Sequence, residues 1–307
     1  MRRFLLSRLV QSVLTLFAIV TVTFLLVHAA PGGPFKSERA VSPHIRKQLL
    51  AAYGLDQPLP VQYGRYLGNL LRGDLGVTTK YEGWTVGEII RSAFPVSLQL
   101  GLTALTIALL IGLPIGIVAA VRRNSALDYA PMALAMIGIC LPTFVMGPIL
   151  ALVLGIKLNF FNVAGWYDKT DWVLPSLTLG LYYAAYISRM ARAGVLEVLG
   201  SDFIRTARAK GVPGSAVVLR HSLKVGLTPV VAYLGPALAG LVTGSFVVET
   251  VFQLPGLGQH FVAAARNSDY TLLLGVTVFY ATLLIGANIL VDLLQAWMNP
   301  RIRLHEA

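Results

Sequence analysis

Long uncharged runs alternate with short charged segments along the chain, at 9–35, 92–121, 129–156, 172–188, 225–248 and 270–291. A membrane-spanning helix needs about 20 mainly apolar residues, and roughly 17 is still workable. The pattern therefore predicts one all-α transmembrane domain, residues 1–307, with spans at about 9–30, 96–121, 130–156, 172–190, 227–249 and 271–293. The fourth run is the shortest, and Tyr182, Tyr183 and Tyr186 extend it toward the membrane interface. The first run is longer than the apolar core of a signal peptide and five more follow, so it reads as an uncleaved helix.

Helix breakers punctuate these runs: Pro114, Pro142, Pro148, Pro175, Pro229 and Pro236. Gly112 and Gly116, like Gly240 and Gly244, have the spacing that lets membrane helices approach closely. Both features read as ordinary packing or as hinges and seams of a bundle that changes shape.

Two polar segments carry helix signals of their own. In the loop 31–95, Pro43 and Gly54 bracket a helix over 44–53, and a second helix over 61–71 closes at Gly73. Thr85 and Glu88 have capping-box spacing, and the helix they open is expected to stop before Pro95. In the loop 193–226, Ser201 or Asp202 caps a helix running to Lys210, Gly211 supplies a left-handed end, and Pro213 prevents continuation. Ala207 and Ala209 keep that helix slim, Phe203 and Ile204 offer apolar anchors, and Arg205, Arg208 and Lys210 suit its C-terminal dipole. Pro255-Gly256 is suited to a type II turn.

Composition rules out a soluble globular chain: 56% of residues are hydrophobic and 13% charged, against about 25% charged in soluble domains. The net charge of +11 reads as membrane orientation. Arg2, Arg3, Arg8, Arg122, Arg123, Arg189, Arg192, Arg205, Arg208, Lys210, Arg220, Lys224, Arg301 and Arg303 fall on one side, against Lys157, Lys169 and Arg266 in the short segments of the other. Charges in the long first loop count little, so both termini are expected in the cytoplasm. The charge pattern lacks the interleaved aromatics of a nucleic-acid-binding surface.

Candidate chemistry narrows by absence. No Gly-Lys pair exists to begin a phosphate-binding loop, and no His-Glu-x-x-His or Cys/His cluster to hold zinc. Cys140 is the sole cysteine and reads as a buried structural thiol. Glu249 and Asp292 sit at the ends of the fifth and sixth spans and read as solvated interfacial carboxylates, which disfavours an ion-coupled transporter. The chain is thus read as a non-enzyme with no catalytic residue, metal or cofactor of its own.

The segment Phe-Ile-Arg-Thr-Ala-Arg-Ala-Lys-Gly at 203–211, followed by Leu-Arg-His-Ser-Leu-Lys at 219–224, resembles the cytoplasmic signature of binding-protein-dependent ABC import permeases of the dipeptide/oligopeptide branch. Ala-Ala-Pro-Gly-Gly-Pro-Phe at 29–35, Ser-Ala-Phe-Pro-Val-Ser at 92–97, Gly-Ser-Phe-Val-Val-Glu at 244–249, Leu-Pro-Gly-Leu-Gly at 254–258 and Asn-Pro-Arg-Ile-Arg at 299–303 resemble that branch too. Against the general permease signature, Ala207, Gly211 and Leu223 match, whereas Arg205 stands at the position of its Glu and Thr206 at that of its first Ala.

The resemblance implies a six-helix type I importer permease with a cytoplasmic coupling helix and an extracytoplasmic helical loop, in the inner membrane of a prokaryote. It implies a heterodimer with a second homologous permease, two ABC ATPases that use ATP and Mg, and an extracytoplasmic peptide-binding protein. Phe203, Ile204, Arg205, Ala207, Arg208, Lys210 and Gly211 would couple to the ATPase. Glu249, Pro255, Gly256 and Gly258 would form an extracytoplasmic turn or gate. Nickel and glutathione importers share the branch, and a passive channel would need no docking helix.

Overall fold

The computed structural model describes residues 2–29, 54–243 and 245–298. The helix expected at 44–53, the motif at 29–35 beyond Ala29, Gly244 and residues 299–303 lie outside them. Among the described residues the regular elements are helices, beside one isolated antiparallel bridge between Val77 and Thr85. In chain order they are α1 (Arg2–Ala29), α2 (Leu59–Leu71), α3 (Val86–Val121), α4 (Ala126–Cys140) and α5 (Thr143–Leu150), which runs on as a π-helical stretch Ala151–Lys157. Then come α6 (Val173–Leu199), α7 (Asp202–Ala209) and α8 (Gly214–Ala216), which passes through a π-helical stretch Val217–Ser222 into α9 (Leu223–Gly226). The chain continues as α10 (Thr228–Thr243), α11 (Phe246–Val251), α12 (Leu257–Asn267) and α13 (Tyr270–Met298).

Four stretches are long and apolar enough to cross a membrane: Ser7–Ala29, Val86–Val121, Thr228–Val251 and Tyr270–Leu294. The run expected as one span at 130–156 is helical but bent, α4 meeting α5 and its π-helical continuation at 108°. Its break follows from Pro142, which has no N–H and drives Leu141 into extended backbone (φ −83°, ψ 115°). α6 is long enough but not apolar enough to join those four stretches, carrying Pro175, Ser176, Tyr182, Tyr183, Tyr186 and Arg189 in its N-terminal part and Arg192 and Glu197 beyond it. Cys140, expected to be buried, is exposed at the end of α4.

The capping box forms as expected. Glu88 accepts from the Thr85 backbone N–H and hydroxyl, each at 2.8 Å, while the Glu88 N–H donates back to the Thr85 hydroxyl at 3.2 Å. The helix it opens does not stop before Pro95; α3 runs through Pro95 and Pro114 to Val121. A proline removes one intrahelical hydrogen bond, and long apolar helices tolerate that loss. α2 starts two residues before its expected N-terminus, with Pro60 in its first turn, where an N–H has no helical partner anyway. It closes at Gly73, whose φ is +76°.

The chain divides into two compact units, one of Met1–Leu9, Val96–Pro255 and Leu283–Ala307, the other of Val10–Pro95 and Gly256–Thr282. In the first, Leu100, Leu174, Leu241, Val248, Phe252 and Leu254 form one buried cluster, and Ala108, Ala184, Ile187, Ala191 and Val230 another. Lipid tails are as apolar as leucine, so close backbone packing does more here than apolar burial. Added Cβ atoms show this directly: at Gly112 one would lie 2.7 Å from the Ala184 carbonyl, and at Gly116 2.3 Å from the Ser188 carbonyl. The Gly112/Gly116 pair is therefore a packing seam of α3 on α6. In the second unit, Phe24, Val27 and Leu274 pack with Tyr63, Tyr66 and Tyr270.

Candidate docking loop and buried carboxylate

α7 follows the long α6 and precedes the three-residue α8, and its ends explain why it stops. Gly211 takes a left-handed conformation (φ +77°). The Gly211 N–H donates to the Arg208 carbonyl at 3.0 Å and the Val212 N–H reaches back to the Ala207 carbonyl at 3.2 Å. That pair of bonds is a Schellman motif, and Val212 packs beside Ala207, the apolar contact that commonly accompanies it. The N-terminus is simpler than expected. Neither Ser201 nor Asp202 makes a side-chain capping bond; the Ser201 hydroxyl donates to the Val198 carbonyl at 2.6 Å instead. Asp202 still sits in the first turn, where its charge suits the helix dipole.

The two faces of α7 differ in what they leave exposed. Ile204 is fully buried against Val198 and Val217, with Leu199, Ala207 and Val212 around it. It anchors the helix to its own chain and presents nothing outward. Ala207 is half-buried on the same side, three residues on, so it too faces inward. The outward face consists of Phe203, 48% exposed, with Arg205, Thr206, Arg208 and Lys210. Arg205 and Asp202 approach at 3.5 Å, but both are exposed and the pair adds little. The π-helical stretch Val217–Ser222 follows at once and contributes Val217 to the same anchor.

Glu249, expected at a solvated edge, is fully buried in the first unit. Its carboxylate accepts the Ser97 hydroxyl of α3 at 2.7 Å and the Ser245 hydroxyl at 2.6 Å. The Leu254 N–H donates to its backbone carbonyl at 2.8 Å, closing α11 on the left-handed residue Gln253 (φ 53°). Gly256 does not form the type II turn expected of Pro255-Gly256. A type II turn needs positive φ there, whereas Gly256 is extended (φ −93°, ψ 164°) as the residue preceding α12. Gly258 is buried in the first turn of α12. Glu249 and Pro255 belong to the first unit, Gly256 and Gly258 to the second. Asp292, the other edge carboxylate, pairs with Arg8 at 3.2 Å.

Three groups escaped the sequence reading. Asp128 and Arg192, 64 residues apart, form a two-bonded ion pair at 2.5 and 2.8 Å that ties α4 to α6. Nothing in the local pattern of either residue signals the partner. Asp171 accepts the Asp168 N–H at 2.7 Å, the Tyr167 N–H at 2.6 Å and the Asn162 amide at 2.8 Å. Those hydrogen bonds, the Asp168 N–H foremost, hold its carboxyl below the usual carboxylate range. Tyr182, Tyr183, Tyr186 and Tyr233 form one aromatic group across α6 and α10, where the sequence marked only an extended span. Among the described residues no group of three or more His, Cys, Asp or Glu is placed to hold a metal ion.

The chain combines four helices long and apolar enough to cross a membrane with a short basic helix at Asp202–Ala209, and the fold has solved counterparts. It is similar to a chain of the MetNI methionine ABC transporter in inward-facing form, with a TM-score of 0.56 and 21% identity over 69% of this chain and 96% of that one. A chain of an amino acid ABC transporter gives 0.54 and 15% identity over 68% and 94%. The architecture is that of a type I ABC importer permease.

The chain belongs to the family described as the binding-protein-dependent transport system inner membrane component, whose profile matches residues 112–304. The profile for the N-terminal part of such membrane components matches residues 1–99. Similar full-length proteins include the oligopeptide transport system permease protein OppB of Haemophilus influenzae, 44% identical over 99% of this chain and 100% of that protein. OppB of Escherichia coli is 42% identical over the same shares, and the dipeptide transport system permease protein DppB of Bacillus subtilis 40% over 100% and 99%.

Proposed function

We propose that this chain is one half of the translocation pathway of an ATP-driven importer of di- and oligopeptides. The observation that carries the reading is α7, which is terminated by a Schellman motif, anchored from beneath by Ile204, and basic on its outward face. An outward helix held rigidly to the bundle transmits the movement of a docked partner; a loop present only for charge would need neither anchor nor cap. Full-length similarity to peptide permeases supports the cargo class. The partners are a second homologous permease, two ABC ATPases seated on α7 and its counterpart, and an extracytoplasmic peptide-binding protein. ATP and Mg serve the ATPases, and this chain performs no covalent chemistry. The chain crosses a prokaryotic inner membrane six times with both termini in the cytoplasm, α6 serving as a span covered by its neighbours. ATP-driven closure of the ATPases moves α7, and two packings of the bundle convert that movement into alternating access.

The test is reconstitution of the four-subunit assembly with its binding protein in vesicles, followed by uptake of labelled peptides of graded length, nickel and glutathione. ATP-dependent uptake of peptides is expected. Uptake of nickel or glutathione with none of peptides overturns the cargo, and uptake without ATP makes the chain a passive channel.

A further inference from the structure

Within the first unit, α4, α6 and α10 line an open cavity of about 650 Å³. The volume lies within the roughly 300–1,000 Å³ of small-ligand sites, so it holds the end of a peptide and not its length. Its charge is unbalanced in one sense. Asp128 is spent on Arg192, leaving Arg189 as the remaining charge on the lining. Among the described residues no carboxylate forms an ion pair with Arg189. The rest of the lining is adaptable and amphipathic: Met132, Met136 and Met190 face it together with Tyr186 and Tyr233. Methionine is flexible and polarisable, and recurs where one surface must accept many shapes. Tyr186 and Tyr233 stack with ring centroids 6.2 Å apart and bring hydroxyl groups to the same space.

Resting on the peptide-importer reading, we propose that this cavity is a transit site for the C-terminal end of the transported peptide. Arg189 takes the terminal carboxylate through its planar donor fork, the geometry that suits a carboxylate, and the methionines receive the last side chain without selecting it. The pairing of α4 with α6 through Asp128 and Arg192 keeps the wall in place. The cavity lies at the end of the unit that holds the Arg122–Arg123 turn, which the orientation reading places in the cytoplasm, so the site acts late in transit. An anionic lipid offers the same charge. One net charge among methionines fits a terminal carboxylate with varied side chains better than a headgroup, for which clustered cations are the usual site.

The experiment uses the reconstituted four-subunit assembly with its binding protein, in vesicles of neutral or of part-anionic lipid. Uptake of one peptide with a free C-terminus is compared with that of its amidated form, for the parent and for Arg189→Gln. Preference of the binding protein for either form cancels in the ratio of ratios. The parent is expected to prefer the free acid by about tenfold more than the variant does, the scale of one charge-assisted hydrogen bond. Should the variant assemble poorly, a peptide with a photoreactive C-terminal residue, applied to the parent, is expected to label the segments around Met132 and Met190. A parent assembly that moves no peptide brings down the importer reading and this site with it. Peptide uptake with an unchanged ratio and no labelling at α4 or α6 overturns the site alone. An Arg189 effect that follows anionic lipid content and ignores amidation makes the cavity a lipid site and also overturns it.

Discussion

Substitutions at Gly211 isolate the conformational demand of α7 from its contacts. Gly211 has φ +77°, and a Cβ built on it meets no atom within 4 Å. Within the chain the cost of a Cβ there is therefore backbone strain, with no steric clash added. A left-handed L-residue costs roughly 1–2 kcal/mol, a factor of about 5–30 in the population of the correctly ended helix. Asn tolerates this conformation best among side-chain residues, and a β-branched side chain tolerates it least. The expected order of retained function is Gly211, then Gly211→Asn, then Gly211→Ala, then Gly211→Val. As the helix end is lost, the bonds from Gly211 to Arg208 and from Val212 to Ala207 go with it, and the outward face of Arg205, Arg208 and Lys210 is no longer presented in one orientation. The assay is co-purification of the ATPases beside ATP-driven uptake in vesicles, with membrane insertion measured as a control. Insertion is expected to stay at the parent level, because no span is touched. Two results refute the reasoning: Gly211→Val assembling and transporting like the parent, or all three variants failing equally, which would point to something other than graded strain.

Glu249→Ala removes the acceptor shared by Ser97 and Ser245 and is expected to destabilise the first unit by about 1–3 kcal/mol, with Glu249→Gln costing less because it keeps a carbonyl; thermal unfolding in detergent checks both, and equal midpoints for parent and Glu249→Ala refute it. Burial beside Tyr81 pushes His260 below its ordinary value of 6.5. Its native state then binds fewer protons than its unfolded state, so the contribution is complete above that value and declines as pH falls through it. His260→Gln should flatten that part of the thermal midpoint against pH, and an unchanged profile counts against it. Reporter fusions after Lys80 and after Arg208 should report opposite sides of the membrane, and one shared side would sink the orientation.

The helical architecture, the separation of the apolar runs and the ends of several helices were legible in the chain because they depend on neighbours within a few residues. Gly211 and Gly73 are left-handed where the pattern asked for it, and Thr85 bonds Glu88 as their spacing requires. Local signals were weaker where several competed: Pro142 bends the run at 130–156, while α3 passes through Pro95 and Pro114 without a break. What only the tertiary structure decided is which side each residue faces and which distant residue it meets. Ile204 and Phe203 are adjacent apolar residues, and no local rule says that one is wholly buried and the other half exposed. Glu249 reads as a solvated edge carboxylate until Ser97, 152 positions earlier, is brought to 2.7 Å. Asp128 and Arg192 become a pair, and Arg189 the residual charge beside it, only when α4 lies against α6. Helix ends are set by hydrogen bonds spanning three to five residues, which a sequence displays. Burial and charge pairing are set by packing between segments far apart in the chain, which it does not.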